Sequence, residues 1–488
     1  MPRWIIPATV AAIVLARAAI FLVSPEAHFD SDQAIVGLMA KHLSELRAFP
    51  VFFYGQTYML GVEAWLAAPL FAVFGASPTV LKLPLLAMNI AVALLLVRTF
   101  QRELALTAAE AAAASLPFIL PCAGLSAELM NANGGNIEPF LYLVLLWIVR
   151  RRAWLLGLVF GIGFLNREFT IYGLAAMAAL EAVDRTLLTR AGAIRWGRAL
   201  ATAALVWLAV QGLARLSSAS GPGTTIRDTL TASNNLAELA ARTCISPARA
   251  VAGAGKLFTL HWPAMLGTAP YPLAAFAIES RVGQGLAGAS WLPAALVLLS
   301  AAGILVSRGR PAPRGAPPRF GQYLVLAGTF SVAGYLFGRC GEVNFYSMRY
   351  ELLSLLGIVG LSAWFVSVRP PAALRAAWTI VLAAWMLLLA VPQVRFGIEY
   401  ATRPPVPAKH QLIRALEAQG IRYGRADYWL AYYIDFLTRE RMIFAADEPQ
   451  RILLYNATVA EHADEAVRLS RRPCEGGTAL ITGVYRCP

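Results

Sequence analysis

"HFDSDQAIVGLMAKH", residues 28–42, follows directly on an apolar run of helix length and sets Asp30 and Asp32 on either side of one serine. Two carboxylates at such a point need a purpose or a partner, because unpaired charge beside lipid is costly. The reading of the chain therefore turns on whether the run before them crosses a membrane. Residues 1–23 begin basic and continue apolar, a pattern shared with cleaved signal peptides; Arg17 and the lack of a clean small-residue cleavage site favour a retained helix. Composition points the same way. Of 488 residues, 58% are hydrophobic and 14% charged, with a mean hydropathy of +0.58, outside the range of a soluble domain. The formal charge of +14, from 42 Lys and Arg against 28 Asp and Glu, would suit nucleic acid, but the arginines fall in short runs between apolar stretches and read as topology signals. The chain is expected to be an α-helical polytopic membrane protein that meets membrane lipids and no nucleic acid.

A spanning helix needs about 20 mostly apolar residues, and Lys and Arg collect in short cytoplasmic loops. About 11 crossings follow, near residues 4–23, 79–97, 104–121, 137–149, two within 154–183, then 199–216, 285–306, 321–337, 350–366 and 377–394. The pair within 154–183 is a deduction from charge. "RRR" (150–152) and "RTLLTRAGAIRWGR" (185–198) share a face only if an even number of crossings separates them, which makes "NRE" (166–168) the outer tip of a hairpin. The amino terminus is then cytoplasmic and the first outer loop is 24–78. Residues 59–75, with Glu63 and Pro69, and 257–278, with His261 and three prolines, are expected to lie on or dip into the outer interface instead of spanning.

The chain divides into a transmembrane domain, 1–397, and a polar outer region, 398–488, joined by the stiff linker "RPPVP". In the second, "AKHQLIRALEAQG" and "EHADEAVRLS" read as helices and "RMIFAA" as a strand, a small α/β domain. Cys122, Cys244, Cys340, Cys474 and Cys487 all fall outside, where disulfides persist. Cys474 with Cys487 is the favoured pair, although connectivity is not legible in spacing and no zinc pattern is present.

Candidate chemistry concentrates in the outer loops. After Asp30 and Asp32 comes "FPVFFYGQTYMLGVEAW" (49–65), in which Tyr54 and Tyr58, one helical turn apart, suit stacking on a sugar ring, although an interfacial aromatic belt gives the same composition. The second outer loop, "AELMNANGGNIEP", adds Glu128, Asn131, Asn133 and Glu138; a glycine-loosened cap on the next helix would look the same. There is no Walker A loop, dinucleotide glycine fingerprint or HExxH, so soluble-nucleotide and zinc-hydrolase chemistry lack support, and "NAT" (456–458) is too short to weigh as a glycosylation acceptor.

An acidic first outer loop followed by an aromatic, glycine-containing stretch and an interfacial helix resembles the C-type glycosyltransferases (GT-C). That superfamily includes protein O-mannosyltransferases, lipid A aminoarabinose transferases and rhizobial galacturonosyltransferases. "SDQAIVGLMAKHL" is similar to the family's acidic helix start, with Asp32 on the motif acid and Gln33 where Glu is common; Asp30 is then open to the second acidic role. "FGASPTVLKLPLL" and "YSMRYELLSLLGIVGL" resemble the family's openings of helix 2 and of a late helix, so the likeness covers roughly residues 1–366 in layout. The resemblance implies an inverting transfer from a polyprenyl phosphate sugar to an extracytoplasmic glycan, lipid or protein acceptor. It makes Asp32, or second Asp30, the general base, and Arg167, Arg339, Arg349 and Lys82 candidates for the donor phosphate. Tyr54, Tyr58, Glu63, Glu128, Asn133 and Glu138 are the candidates for the sugar or acceptor. Mg²⁺ or Mn²⁺ would suit carboxylates bridged to phosphate, while some members of the superfamily work without a metal, so the resemblance leaves the cofactor open. The Ala- and Arg-rich composition gives a bacterial inner-membrane impression.

Two other readings use the same features. A transporter or flippase of lipid-linked sugars would also be basic and polytopic, but such proteins usually carry internal repeats with a midplane site, and no repeat is visible. A membrane-anchored binding module working through its C-terminal region leaves the first-loop acids unexplained.

Overall fold

The computed structural model describes residues 2, 4–56, 58–220, 246–269, 291–307, 319–338, 343–404 and 408–488. Arg339, Cys244, Cys340 and most of "SRGRPAPRGAPPR" and "RPPVP" lie outside the described residues. Each expected crossing corresponds to one helix. Five are long and apolar enough to span by length and composition: Ile5–Val23, Pro78–Glu103, Arg190–Ser217, Arg319–Gly338 and Ala372–Thr402. The others are shorter: Ala108–Ile119, Glu138–Val149, Ala153–Asn166, Thr170–Val183, Trp291–Val306 and Ser354–Ser367. A 14-residue helix rises only about 21 Å at 1.5 Å per residue, less than the hydrocarbon core, so the loops at its ends must complete the path while packed in protein.

The helices start where their side chains can take the free N–H groups. Ser77 accepts from Val80 N at 3.3 Å ahead of Pro78, and Thr107 and Glu110 form a reciprocal capping box. Small residues let helices approach closely: a Cβ on Gly328 of Arg319–Gly338 would lie 2.7 Å from the backbone nitrogen of Gly357 in Ser354–Ser367.

The basic loops gather at one end of this bundle. Arg150 bonds Glu103 at 2.9 Å, Arg195 donates to the Arg150 carbonyl at 2.6 Å and pairs with Glu181, Arg319 pairs with Asp184, and Arg369 with Glu110. The chain between Arg150 and Arg195 thus leaves this end and returns to it, as the charge argument requires, with Asn166 and Arg167 at the far end between Ala153–Asn166 and Thr170–Val183.

The opposite end is built from the loops expected to be outer and from the C-terminal region. The described residues of 51–61 are not helical, which corrects the helical spacing of Tyr54 and Tyr58. Pro50 precedes them, Gly55 has φ +68°, Phe52 pairs with Leu60 in an antiparallel bridge, and Phe53 N bonds Met59 O at 2.9 Å. The two tyrosines therefore sit on different parts of a hairpin-like turn.

In the C-terminal region, five strands, β1 Tyr423–Ala426, β2 Ile443–Ala446, β3 Val467–Ser470, β4 Thr478–Ile481 and β5 Val484–Cys487, order as β2-β1-β3-β5-β4. β1 is parallel to β2 and β3, while β5 is antiparallel to β3 and β4. "AKHQLIRALEAQG" and "RMIFAA" form the expected helix and strand. "EHADEAVRLS" does not form a helix: Val467 and Leu469 alternate inward as β3 between β1 and β5, and the helix lies earlier, at Leu453–Glu461. Cys474 and Cys487 are disulfide-bonded, and Cys122 is a buried thiol.

This unit is docked. Its Tyr428–Leu437 helix lies along Ser31–Ser44, the helix that "SDQAIVGLMAKHLS" forms, with the Phe436 ring against Gly37 and near Phe29 and Phe71 at 5.4 and 6.2 Å between centroids. Glu440 closes the junction. It takes Lys41 Nζ at 2.6 Å, His42 Nε2 at 3.0 Å, the Tyr455 hydroxyl at 2.9 Å, and Arg47.

Candidate functional site

Asp30 is the N-cap of Ser31–Ser44: its extended backbone lets Oδ1 accept from Gln33 N at 3.0 Å. Gln33, where the resemblance expects Glu, is buried and structural. Its Nε2 donates to the His28 carbonyl at 2.9 Å and its Oε1 accepts from Ala132 N at 3.4 Å, tying the first outer loop to the second. Asp30 and Gln33 are thus committed to the helix start, while Asp32 in the first turn makes other contacts.

Asp32 faces a cavity of about 450 Å³ between the bundle end and the C-terminal unit. The Tyr428 hydroxyl donates to its Oδ1 at 2.5 Å, and Arg349 Nη1 stands 3.5 Å from Oδ2. The Asp32 side chain is 19% exposed, open enough to meet a ligand. Asp427, Trp429, Glu448, Arg451 and Arg471 complete much of the wall. Burial, and next the Asp32 charge, push the Asp30 carboxyl above its ordinary value, against its bond from Gln33 N and the charges of Lys409 and Arg349.

Arg349 rides on a short 3-10 helix, Phe345–Glu351, capped by Asn344. His261 braces that helix at both ends: Nδ1 lies 2.5 Å from Glu351 Oε1 and Nε2 lies 2.8 Å from the Asn344 carbonyl. Arg167 lies behind Arg349, separated from it by two rings. Its guanidinium is 5.8 Å from the Phe169 centroid, Phe169 is edge-on to Tyr350 at 6.1 Å, and Arg349 lies 5.3 Å from the Tyr350 centroid. Arg167 also packs on Gly135, whose φ of +120° and lack of a Cβ permit the contact; a Cβ there would lie 2.3 Å from Arg167 Cγ. Glu128 is half-buried, accepts from Asn136 Nδ2 at 3.0 Å, and is close enough for its charge to act on Arg349.

The structure thus brings Asp30, Asp32, Arg167, Arg349 and Glu128 to one end of the bundle, with Asp32 and Arg349 lining the cavity. It places the other candidates elsewhere. Tyr54 is buried, with its hydroxyl 2.9 Å from His42 Nδ1, in the junction that Glu440 closes. Lys82 is fully buried beneath the first loop, donating to the His28 carbonyl at 3.3 Å, and not at an open mouth. Glu63 accepts from Gly134 N and Gly135 N at 2.9 and 3.2 Å, with Glu138 near enough for its charge to act on it. Burial first, and Glu138 second, raise the Glu63 carboxyl well above its ordinary value, and Glu63 holds the glycine loop without lining the cavity. Asn133 is buried in that same loop and Tyr58 is half-buried on the hairpin.

Tyr428, Trp429, Arg451 and Arg471 carry no motif, so they escape a reading by pattern. The one available signal is "ADYWLAYYIDF", an aromatic-rich run behind an N-cap, in which Asp427 Oδ1 accepts from Trp429 N at 2.8 Å. Among the described residues, no three His, Cys, Asp or Glu converge as a metal site.

No protein-family model and no curated protein matches the chain. Among solved structures it is similar to ArnT from Cupriavidus metallidurans bound to undecaprenyl phosphate, at 12% identity over 98% of this chain and 98% of that one, with a TM-score of 0.43. It is also similar to the apo state of the same protein, at 12% identity over 95% and 92% of the two chains, with a TM-score of 0.41.

Proposed function

We propose that the protein is an integral membrane glycosyltransferase that moves a sugar from a polyprenyl phosphate carrier to an acceptor hydroxyl. The observation that carries the reading is Asp32, paired with Arg349 at the edge of a cavity where the bundle meets the polar C-terminal unit. A lipid-anchored donor presents its anomeric carbon at headgroup depth, and in this reading the end of the bundle that carries the cavity is set at that depth. In this reading the acceptor oxygen attacks that carbon from the face opposite the phosphate. The C–O bond to phosphate breaks with its electron pair going to the phosphate oxygen, the acceptor proton passes to Asp32, and the anomeric configuration inverts. Arg349, with Arg167 behind it, offsets the negative charge the phosphate gains as it leaves. No acid is needed on that side, because the donor is a phosphodiester and the polyprenyl phosphate monoester it releases is stable as an anion.

Asp30 is the weaker candidate for the base, since one of its oxygens is occupied by the helix cap. No step is routed through a metal; were Mg²⁺ or Mn²⁺ to bind, Asp30, Asp32 and the donor phosphate would be its oxygens, and transfer with and without EDTA tests this. The reading further places the Asp32 end outside a bacterial inner membrane, with the amino terminus in the cytoplasm and 398–488 as an outer domain on a 1–397 catalytic body.

The test is transfer or slow hydrolysis of radiolabelled undecaprenyl phosphate carrying a hexose, a pentose or a uronic acid, by purified detergent-solubilised protein. Wild type should consume one donor, and Asp32→Asn should bind that donor while losing transfer by about a hundredfold or more. Donor release without chemistry in both proteins would favour a carrier of lipid-linked sugars instead.

A further inference from the structure

Asp32 and Tyr428 stand 396 positions apart in the chain, yet they form one of the shortest side-chain contacts at the cavity, 2.5 Å. Their meeting is built into two helix starts. Asp30 caps Ser31–Ser44 and Asp427 caps Tyr428–Leu437, so both residues fall in the first turn of helices that lie against one another through Gly37 and Phe436.

The charged and titratable groups around Asp32 are Asp30 from its own cap, Arg349 from the 3-10 helix and, from the C-terminal unit, Tyr428, Asp427, Glu448, Arg451 and Arg471. Among the described residues, Arg349 and Tyr428 are the groups that reach its oxygens, one each. A carboxylate offers about four lone-pair sites, so both contacts can hold while an outward lone pair takes a proton. Burial, and then the Asp32 charge, push the Tyr428 phenol well above its ordinary value, so it remains protonated and donates. A donor to the charged form of a carboxylate lowers its proton affinity.

Resting on Asp32 as the base, we propose that Tyr428 is a positioning residue that fixes the Asp32 side chain and sets the pH above which it accepts the acceptor's proton. The C-terminal unit then completes the reaction centre and does more than cover it.

The test is the pH dependence of transfer by the full-length protein with the undecaprenyl phosphate sugar it consumes. Tyr428→Phe should move the acidic limb of kcat/KM upward by roughly one pH unit, leaving KM for the donor within about twofold. Site-specific 3-fluorotyrosine at Tyr428, nearly the same shape but a stronger donor, should move the limb downward, and it decides the matter if Tyr428→Phe does not fold. Glu440→Gln, which loosens the junction away from the cavity, should leave the limb in place.

The proposal is overturned if the limb is unmoved by the Tyr428 replacements, or if Glu440→Gln moves it equally, while Asp32→Asn is inactive. Wild type inert toward every donor, or Asp32→Asn fully active, would instead remove the glycosyltransferase reading and this inference with it.

Discussion

Asp32 was visible in the sequence because its chemistry is local: an acid in the first turn after an apolar run, next to a second acid that caps the helix. Its partners were visible only as types. Arg349 could be listed as one of several outer-face arginines, but nothing in its neighbours says that it reaches Asp32 while Lys82 is buried under a carbonyl. Tyr54 misled because a spacing of four residues means one face only in a helix, and Pro50 and Gly55 bend that stretch into a turn. If Arg349 steadies departing phosphate, Arg349→Ala should lower kcat by about a hundredfold, the scale for losing a donor to developing charge. Arg349→Lys should recover only part of it, since a point charge cannot hold both Asp32 and phosphate as a planar guanidinium can. Steady-state kinetics with the active donor measures both.

At the scale of elements, the Ser31–Ser44 helix has two jobs. It presents Asp32, and it receives the C-terminal helix through Gly37. A Cβ at Gly37 would lie 2.5 Å from the Phe436 ring, which is itself packed by Phe29 and Phe71 with little room to retreat. Gly37→Val should therefore destabilise the docked state by about 1–3 kcal/mol, read as a lower thermal midpoint together with easier proteolysis of the C-terminal unit.

Glu440 secures the other end of that contact. Burial alone would raise its carboxyl, but His42, then Lys41 and Arg47, hold it well below the ordinary 4.5. A depressed carboxylate stabilises fully above its unfolded value and loses that contribution as pH falls toward the folded one. The stability difference between wild type and Glu440→Gln should accordingly be constant near neutral pH and shrink below about 4.5, as thermal unfolding across pH would show. The pattern of charges in "AKHLSELR" and "TRER" hints at none of this, because the pairing joins segments about four hundred residues apart.

At the scale of the molecule, charge patterning proved a strong guide. The hairpin within 154–183 was deduced from where arginines fall, and the contacts among Glu103, Arg150, Arg195 and Glu181 place those loops together. The proposed orientation predicts that a cysteine at exposed Glu475 reacts with a membrane-impermeant maleimide in intact cells, and one at exposed Arg151 only after permeabilisation. The reverse pattern would invert the topology.

Composition, the spacing of apolar runs and the positions of arginines were enough to read a many-helix membrane protein, the loops that share a face, and the acid pair at the first helix exit. These are properties of single segments and of their transfer into lipid, which each segment carries wherever it sits in the fold. The cavity is of another kind. That Tyr428 meets Asp32, that Glu63 takes the N–H groups of the glycine loop away from it, and that the C-terminal unit is docked all depend on which surfaces pack together. Packing is a contest among many distant contacts of similar size, and short-range pattern carries no record of its outcome.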